Sequence, residues 1–406
     1  MALTQSVFSL FSSRDFRLFY AGQATSYLGD GLRTIAVPLL VFQMTGSAFN
    51  LGGTYATEVF TFGLFSLVGG SLADRLDRRR LMIACDVVRF AILAAFATAA
   101  WGKWLTVPWL FVGIAVHAAC GAIFNGAQAS SIPYVLGKDR ATAAVATLEG
   151  TLQAANTVVP PLGGALFGLI GAVPALGINA ATYIASQLSL LAVHDLGPDA
   201  PGKIPGVRQV ADDILTGFRF LWSEQVMLLM AFGAFAGNFV GFVGYTVLVP
   251  FIERDLGGNG ISVGFAFGSI GLGAVAGSLL AARYSSPFGR LVAFAWVIDG
   301  LAWVPLIWAH HTVVVDLCLG VGFMASAFAL ANVIGWRMRV IPEAMVGRVF
   351  GAVRLVALSG TLPGALLGGF LADHYGARFA IALSVVAYLS VACVLVSFRS
   401  LREERR

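Results

Sequence analysis

The sequence predicts an all-α membrane protein built as two six-helix bundles around a central cavity. Of its residues, 58% are hydrophobic and only 12% are charged, whereas a soluble domain carries roughly 25% charged residues. The chain divides at charged or Pro/Gly-rich breaks into twelve apolar runs, and a helix needs about 20 such residues to cross a bilayer. The longest break falls near the centre, so that six runs precede it and six follow.

The apolar runs define the predicted spans and domains. The first six lie near 17–42, 48–71, 81–102, 107–130, 141–168 and 172–193, and the last six near 226–251, 260–282, 290–309, 312–335, 346–370 and 378–398. We therefore expect an N-terminal bundle at 1–193, a cytoplasmic linker at 194–225 and a C-terminal bundle at 226–406. Within the linker, apolar residues recur at helical spacing from Val207 to Leu221, which predicts an amphipathic helix in the membrane interface.

The distribution of basic residues predicts the orientation in the membrane. Most of the 26 lysines and arginines fall in loops on the side that holds both termini, whereas Lys103, Arg254 and Arg378 fall in loops on the other side. The positive-inside rule then places both termini in the cytoplasm, and we expect no cleaved signal peptide at the start.

The two halves also resemble each other in sequence. IPYVLGKDR (132–140) in the first half is echoed by IPEAMVGR (341–348) in the second, and each segment opens a long span. Repeated six-span halves are typical of secondary transporters, in which the substrate path runs between the halves.

A short charged turn, GSLADRLDRRR (70–80), separates the second and third spans. It resembles the loop signature of the major facilitator superfamily, with matches at Gly70, Leu72, Ala73, Asp74, Arg75, Arg78 and Arg79 and a departure at Asp77, where that family has glycine. The resemblance covers essentially the whole chain and implies the twelve-span fold of that family. It also implies that the turn is a conformational latch, with its arginines pairing with acids such as Asp86. Asp86 and Arg89 also stand at i,i+3 spacing, at which Arg89 can neutralise Asp86. The alternative is a basic loop that serves only as a topology anchor.

The fifth span carries a second, narrower resemblance. VPPLGG (159–164) is similar to the G-P-x-x-G-G signature of exporting antiporters in this superfamily, with Val159 in place of the first glycine. Prolines within a helix kink it, so the resemblance implies a hinge at Pro160, Pro161, Gly163 and Gly164. The alternative is an ordinary packing bend with no bearing on the direction of transport.

Further segments resemble the macrolide-efflux and enterobactin-exporter branch of the superfamily. They are DFRLFYAGQATSYLGDGL, PLLVFQMTGS, LADRLDRRRL, GINAATYIASQL and ILTGFRFLWSEQVM. The branch implies a monomeric exporter of amphipathic drugs or macrolide-like compounds in the bacterial inner membrane, working by proton antiport with alternating access. A siderophore or other metabolite exporter and a lysophospholipid transporter remain open.

Other function classes are disfavoured by missing motifs. The sequence contains no GxxxxGK[ST] phosphate loop and no HExxH pair, and its four cysteines lack CxxC spacing. We expect no enzyme activity, no cofactor and no metal site. The basic residues are spread among short loops, so that the expected partners are the bilayer, a small amphipathic substrate and protons rather than nucleic acid.

Acids within the spans are the candidates for proton coupling, because a charged group inside a membrane is costly. Glu149 comes first: it lies about 12 Å into the fifth span on a stripe with Gln153 and Asn156, with no basic residue within a helical turn. Its alternative role is a glutamate that is hydrogen-bonded within the bundle. Asp30 comes second, and Glu58 and Asp299 are weaker candidates.

Asp30 shares a polar stripe of the first span with Arg33. The two could form a fixed ion pair, or a pair that substrate or a proton separates. The candidates for the substrate cavity are polar or aromatic residues of several spans: Gln23, Tyr27, Arg33, His117, Asn125, Gln153, Asn156, Asn238, Tyr245, Asn332 and Arg354. Arg354 is also a possible partner of Glu149. For His117, a hydrogen-bonded residue of the bundle is the alternative to a proton relay.

Overall fold

The computed structural model describes residues 9–73, 76–197, 207–284, 288–342 and 345–398, and within them the chain is helical with no β-strand. The helices are α1 (Arg14–Thr45), α2 (Ala48–Ala73), α3 (Arg78–Trp101), α4 (Val107–Leu136), α5 (Lys138–Ile170), α6 (Ala172–Ala192), α7 (Val207–Ser223), α8 (Gln225–Thr246), α9 (Gly260–Arg283), α10 (Phe288–Ala302), α11 (Thr312–Val340), α12 (Val346–Ser359), α13 (Thr361–Tyr375) and α14 (Ala377–Ser397).

These helices follow the twelve predicted spans and confirm the all-α membrane fold. Helices α1 to α6 are the first six spans, α7 is the linker helix, and the other helices form the last six spans. Three spans are interrupted: a helical turn and a π-helical turn continue α8 to Asp255, a 3₁₀ turn (Val304–Trp308) follows α10, and the eleventh span divides into α12 and α13. Within the described parts of the chain, nine helical segments are long and apolar enough to cross a membrane.

The chain forms two compact units, each described here on its own. The first unit contains residues 1–40 and 61–204, and the second contains residues 41–60 and 205–406. Unlike in the predicted organisation, the end of α1, the start of α2 and the turn between them belong to the second unit, and so does the linker helix α7.

Each unit has its own apolar core. In the first unit, Phe16, Met82 and Phe124 are buried in one cluster with residues of α5 and α6. In the second, Phe288 stacks on Trp336 at a ring distance of 5.2 Å within a cluster that also includes residues of α7, α8 and α12. Because sequence-distant helices bury these side chains together, the cores fix the positions of polar residues on the same helices.

Large apolar side chains also face outward from both units. Leu169 and Leu188 are 79% and 62% exposed in the first unit, and Leu279 and Val386 are 67% and 61% exposed in the second. Exposed apolar surface on this scale is unfavourable in water but is what a lipid environment requires. The protein is therefore a multi-pass membrane protein.

The amphipathic linker helix forms as the sequence predicts and packs within the second unit. Phe218 and Leu221, on its predicted apolar face, join the core cluster of that unit. The backbone at Gly217 closely approaches the carbonyl oxygen of Arg348 and the side chain of Ala352, so that the helix is seated against α12.

A carboxylate at the end of α13 holds the turn between α1 and α2. Asp373 accepts hydrogen bonds from the Ser47 hydroxyl at 2.6 Å and from the backbone N–H groups of Ala48 and Phe49 at 2.7 and 2.9 Å. These N–H groups belong to the first turn of α2, where a helix has unpaired donors and a positive dipole end. Gly369, one turn earlier, lets α13 approach the backbone of Ala48 so closely that a Cβ atom would not fit.

Replacing Asp373 should loosen the start of α2. We expect Asp373→Ala to destabilise residues 47–52 by about 1 kcal/mol, as the loss of a helix cap does, and to raise their amide hydrogen exchange roughly fivefold. Hydrogen exchange with mass spectrometry on the detergent-solubilised protein measures this. His374→Ala is the matched control, because that ring bonds only the Phe370 carbonyl of its own helix. Unchanged exchange in Asp373→Ala would contradict the capping role.

Candidate functional site

A buried network of charges lies in the first unit, between α1, α3 and α6. Arg89 on α3 contacts Asp86 at 2.5 Å and Asp30 of α1 at 3.8 Å. The side chains of Asp86 and Arg89 are 0% and 6% exposed, whereas that of Asp30 is 27% exposed. Asp30 is thus the member of this trio that retains access from outside the protein.

Two aromatic rings enclose the guanidinium of this network. The Cζ atom of Arg89 lies 4.3 Å from the ring centre of Tyr183 and 4.8 Å from that of Phe124. Such cation–π contacts stabilise a desolvated cation by about 2 kcal/mol or more. The position of Arg89 is therefore fixed by two carboxylates and two rings together.

Tyr183 also joins Asp30 to a histidine. Its hydroxyl donates to Asp30 Oδ1 at 2.5 Å, and His117 Nε2 lies 2.8 Å from the same hydroxyl oxygen. A hydroxyl has one proton to donate, so His117 acts as the donor in this contact and carries a proton on Nε2. The arrangement is a hydrogen-bonded chain from His117 through Tyr183 to the partly exposed carboxylate.

Amide and hydroxyl groups form a second network beside the charges. Gln128 Nε2 donates to Tyr27 at 2.8 Å and to Gln23 Oε1 at 3.1 Å, and Gln23 in turn donates to Ser186 at 3.4 Å. The sequence predicted Gln23 and Tyr27 as cavity residues, and the structure adds Gln128 and Ser186. The polar stripe of α1 is thus satisfied by side chains of α4 and α6, as polar groups within a membrane require.

The central role of Tyr183 was not predicted. A signal exists in the sequence, because Asn179, Tyr183 and Ser186 recur at helical spacing on α6 and all three are 0% exposed. Polar residues at this spacing in an apolar helix mark a face that is directed toward protein.

Asp30 has partners on other helices that the sequence did not predict, while its pairing with Arg33 stays a prediction. Its described partners are Arg89 and Tyr183, both from other helices. Arg33 lies within electrostatic range of His117 and Tyr183, so its charge acts on the same network.

The other candidates of the first unit lie on exposed helix faces. Glu149, Gln153 and Asn156 of α5 and Asn125 of α4 are exposed. Glu149 lies within electrostatic range of Tyr27, which places it beside the amide network rather than inside it. Its role as a proton carrier stays a prediction.

Among the candidates of the second unit, Glu58 and Tyr245 lie near each other. Asn238 and Asn332 each donate to the backbone carbonyl four residues earlier, at 2.8 and 3.0 Å. Tyr245 packs among three aromatic rings, and Glu58 lies within electrostatic range of it. Arg354 is exposed on α12, whereas Asp299 is buried.

The charged turn lies between α2 and α3, as predicted. Gly70 falls within α2, and Asp74 and Arg75 lie outside the described residues. Asp77 does not adopt a left-handed conformation: its φ is −55°, and its carboxylate caps α3 by accepting from the N–H of Arg80 at 3.1 Å.

The arginines of the turn bond to backbone carbonyl oxygens. Arg78 Nε donates to Ala73 at 3.0 Å, and Arg79 Nη2 donates to Val193 and His194 at 2.5 and 2.8 Å. The partner recorded for Asp86 is Arg89 of the same helix, and the pairing of the turn's arginines with acids stays a prediction.

Helices α1 and α5 approach each other closely at Val159, the position where the signature of the fifth span has a glycine; here the glycine of the contact is Gly31 of α1. Helix α5 continues through Pro160 and Pro161, and a Cβ atom at Gly31 of α1 would lie 2.8 Å from the Cβ atom of Val159. Gly163 meets Leu32 in the same contact, and Gly164 is buried. The close approach between α1 and α5 therefore survives the departure at Val159.

Comparison with known proteins identifies the family. The model of the Major Facilitator Superfamily matches residues 19–365. The chain belongs to the Major Facilitator Superfamily. Its membership agrees with the resemblance in the charged turn and with the helical fold.

Two relatives of this superfamily member align over most of both chains. The multidrug efflux pump Tap of Mycolicibacterium fortuitum is 24% identical over 391 residues, which cover 93% of this chain and 94% of the relative. The enterobactin exporter EntS of Escherichia coli is 25% identical over 366 residues, which cover 87% and 84%. Among solved structures, a bacterial homologue of the human lysosomal transporter Spinster covers 96% of each chain with a TM-score of 0.75 and 14% identity, which supports the fold.

Removing Arg89 should destabilise this superfamily member strongly. Arg89→Met leaves the Asp86 carboxylate buried without its counter-ion, and we expect a loss of about 3–5 kcal/mol in the free energy of unfolding. Adding Asp86→Asn should recover much of that loss, because the uncompensated charge is then gone. Arg80→Met is the control, since the side chain of Arg80 is 88% exposed. Thermal unfolding in detergent measures the series, and a double variant no more stable than Arg89→Met would contradict this account.

The contact between α1 and α5 can be tested by enlarging its small residue, Gly31, and by reducing its larger residue, Val159. Gly31→Ala should lower the free energy of unfolding by about 1–3 kcal/mol through overpacking against Val159, and Val159→Gly in the same chain should relieve it. Gly150→Ala on α5 is the control, because nothing lies within 4 Å of the added methyl group. Equal stability of Gly31→Ala and the unmodified protein would disprove the close contact.

Proposed function

We propose that the protein is a secondary active exporter of amphipathic small molecules, driven by proton antiport with alternating access. Membership of the Major Facilitator Superfamily supports transport. Two relatives that align over most of their length are named as a multidrug efflux pump and an exporter, which supports the outward direction and the class of substrate.

The observation that carries the proton-coupled part is the partial exposure of Asp30 beside buried charges. Asp86 and Arg89 neutralise each other within α3, so the charge on Asp30 sets the charge of the network. A proton on Asp30 makes the site more positive by one unit, whether or not Arg33 is counted. A cationic substrate is therefore favoured when Asp30 is ionised and disfavoured when it is protonated.

Competition between a proton and a cationic substrate is what an antiporter needs. The two ligands bind alternately at one carboxylate, and each biases the conformational equilibrium only through its different affinity for the two states. The hydrogen bonds that run from His117 through Tyr183 end on Oδ1 of this carboxylate, Asp30. We infer that this hydrogen-bonded chain positions the Asp30 carboxylate and holds its hydrogen bond while the proton is exchanged.

The same proposal includes the setting in the cell. The bias of lysine and arginine toward the loops on one side supports cytoplasmic termini by the positive-inside rule. We infer a location in the bacterial inner membrane and a working monomer.

A siderophore or other anionic metabolite is the second candidate for the substrate. The EntS relative favours it, as does the cation Arg33, whose charge acts on the network of Asp30. An anionic substrate would be favoured when Asp30 is protonated, which reverses the expected pH dependence of binding.

Transport into liposomes with an imposed pH gradient tests the proposal. Lipophilic cationic dye should move with the unmodified protein, and Asp30→Asn should abolish gradient-driven movement, because the carboxylate that exchanges a proton for the cation is removed. Glu149→Gln tests the alternative carrier. Asp316→Asn is the matched control, since this acid lies on α11, in the other unit, and should leave transport intact.

The outcomes separate the alternatives. Movement retained in Asp30→Asn and lost in Glu149→Gln would transfer the proton role to Glu149. No movement of a cationic dye, together with gradient-driven movement of a catechol-type anion, would favour the second candidate. Dye movement that ignores the pH gradient in the unmodified protein would overturn proton antiport.

A further inference from the structure

A second acid is buried in the other unit, in a site built from neutral hydrogen-bond donors. Asp299 on α10 is 5% exposed. The Tyr388 hydroxyl of α14 donates a hydrogen bond to Asp299 Oδ2 at 2.5 Å, and the Trp303 indole and the Ser326 hydroxyl are neighbouring donor groups. A Cβ atom at Gly322 of α11 would lie 3.1 Å from Asp299 Oδ1, so the helices close tightly around the carboxylate.

No cation compensates this carboxylate among the described residues. Tyr388 is the titratable group that faces it from α14, α11 presents Ser326 and the backbone of Gly322, and Trp303 follows α10. Among the described residues recorded beside Asp299, none is a lysine, an arginine or a histidine. An isolated buried charge is unfavourable, and a bound proton removes it.

The donors suit both protonation states of the acid. An ionised carboxylate only accepts; the Tyr388 hydroxyl donates to it, and the indole N–H of Trp303 and the hydroxyl of Ser326 are neighbouring donors. A protonated carboxyl has an O–H to donate, and either hydroxyl accepts it by rotating, because hydroxyl groups both donate and accept. A site that stays satisfied with and without the proton lets the proton come and go.

The internal repeat shows how this site differs from that of the first unit. RLMIACDVVR (80–89) and RLVAFAWVID (290–299) open equivalent spans, and Arg89 in the first stands where Asp299 stands in the second. Tyr183 and Tyr388 also correspond, since each is the twelfth residue of α6 and α14, the last span of its half. The second unit thus has a tyrosine at the same position, an acid in place of the arginine, and Trp296 in place of Asp86.

We propose that Asp299 is a second proton-binding site, separate from Asp30, so that each unit carries its own. The first unit neutralises its buried charge with an arginine, and the second neutralises it with a proton. Proton binding at Asp299 stands on the geometry of the second unit alone. Its contribution to export rests on the proposed function.

Infrared difference spectroscopy on the full-length protein in liposomes tests proton binding. At low pH, the difference between the spectra of the unmodified protein and Asp299→Asn should contain the carbonyl stretch of one protonated carboxyl, and this band should disappear as pH rises. Asp316→Asn, the control on α11, should retain it. An unchanged band in Asp299→Asn, or a band that does not change over the pH range in which the protein is stable, would overturn the proposal.

Tyr388→Phe gives a second test that keeps the acid in place. Removing this donor takes away a hydrogen bond that favours the ionised form, so the band should shift in frequency and its titration midpoint should move to higher pH. An unaltered midpoint and frequency would mean that the titrating carboxyl is elsewhere, which also overturns the proposal even if Asp299→Asn fails to fold.

The number of protons per substrate tests the coupling. Asp299→Asn should still move substrate, with the proton-to-substrate ratio lowered by one proton, whereas an unchanged ratio would refute a role in transport. Absence of proton-driven export by the unmodified protein would disprove the proposed function, and in that case the infrared band of Asp299 would still titrate. The two failures are therefore distinguishable.

Discussion

Every charge placed among apolar helices needs a partner, and this constraint shapes both units. The hydrocarbon interior offers no water to solvate an ion, so Arg89 is held by two carboxylates and two rings. Tyr183, Gln128 and Ser186 are polar for the same reason, since each satisfies a group on another helix. Packing then follows the polar contacts, because the helices that exchange hydrogen bonds must lie side by side.

The two units satisfy that constraint with different chemistry at corresponding positions. In the first unit the carboxylates face a fixed cation, Arg89, and Asp30 is the partly exposed member of the network. The second unit surrounds Asp299 with donors that carry no charge. The repeat thus has a tyrosine at the corresponding position of both halves, whereas the charged residue that contacts it is Arg89 in the first unit and Asp299 in the second.

The fold was largely predictable from the sequence, whereas the site was predictable only in part. Apolar runs of the length of a bilayer determine the helices regardless of their neighbours, and the Asp86–Arg89 contact follows from i,i+3 spacing. The partners of Asp30 did not follow, because Arg89 and Tyr183 come from helices about 60 and 150 residues away and periodicity along one helix carries no information on which helices pack together. Asp299 was a weaker candidate for proton coupling for the same reason, because its surroundings depend on Tyr388 and Ser326 from other helices and on Trp303.

The division of the chain into units cuts through the middle of two helices, between Leu40 and Val41 in α1 and between Phe60 and Thr61 in α2. Pro38 lies two residues before the first cut and removes a backbone hydrogen bond of α1 there. The hairpin from 41 to 60 is therefore joined to the first unit by the chain at both ends, while it belongs to the second unit. Its turn is fixed there by the hydrogen bonds that Ser47 and Ala48 donate to Asp373, so that α1 passes from one unit to the other next to the proline that interrupts its hydrogen-bond ladder.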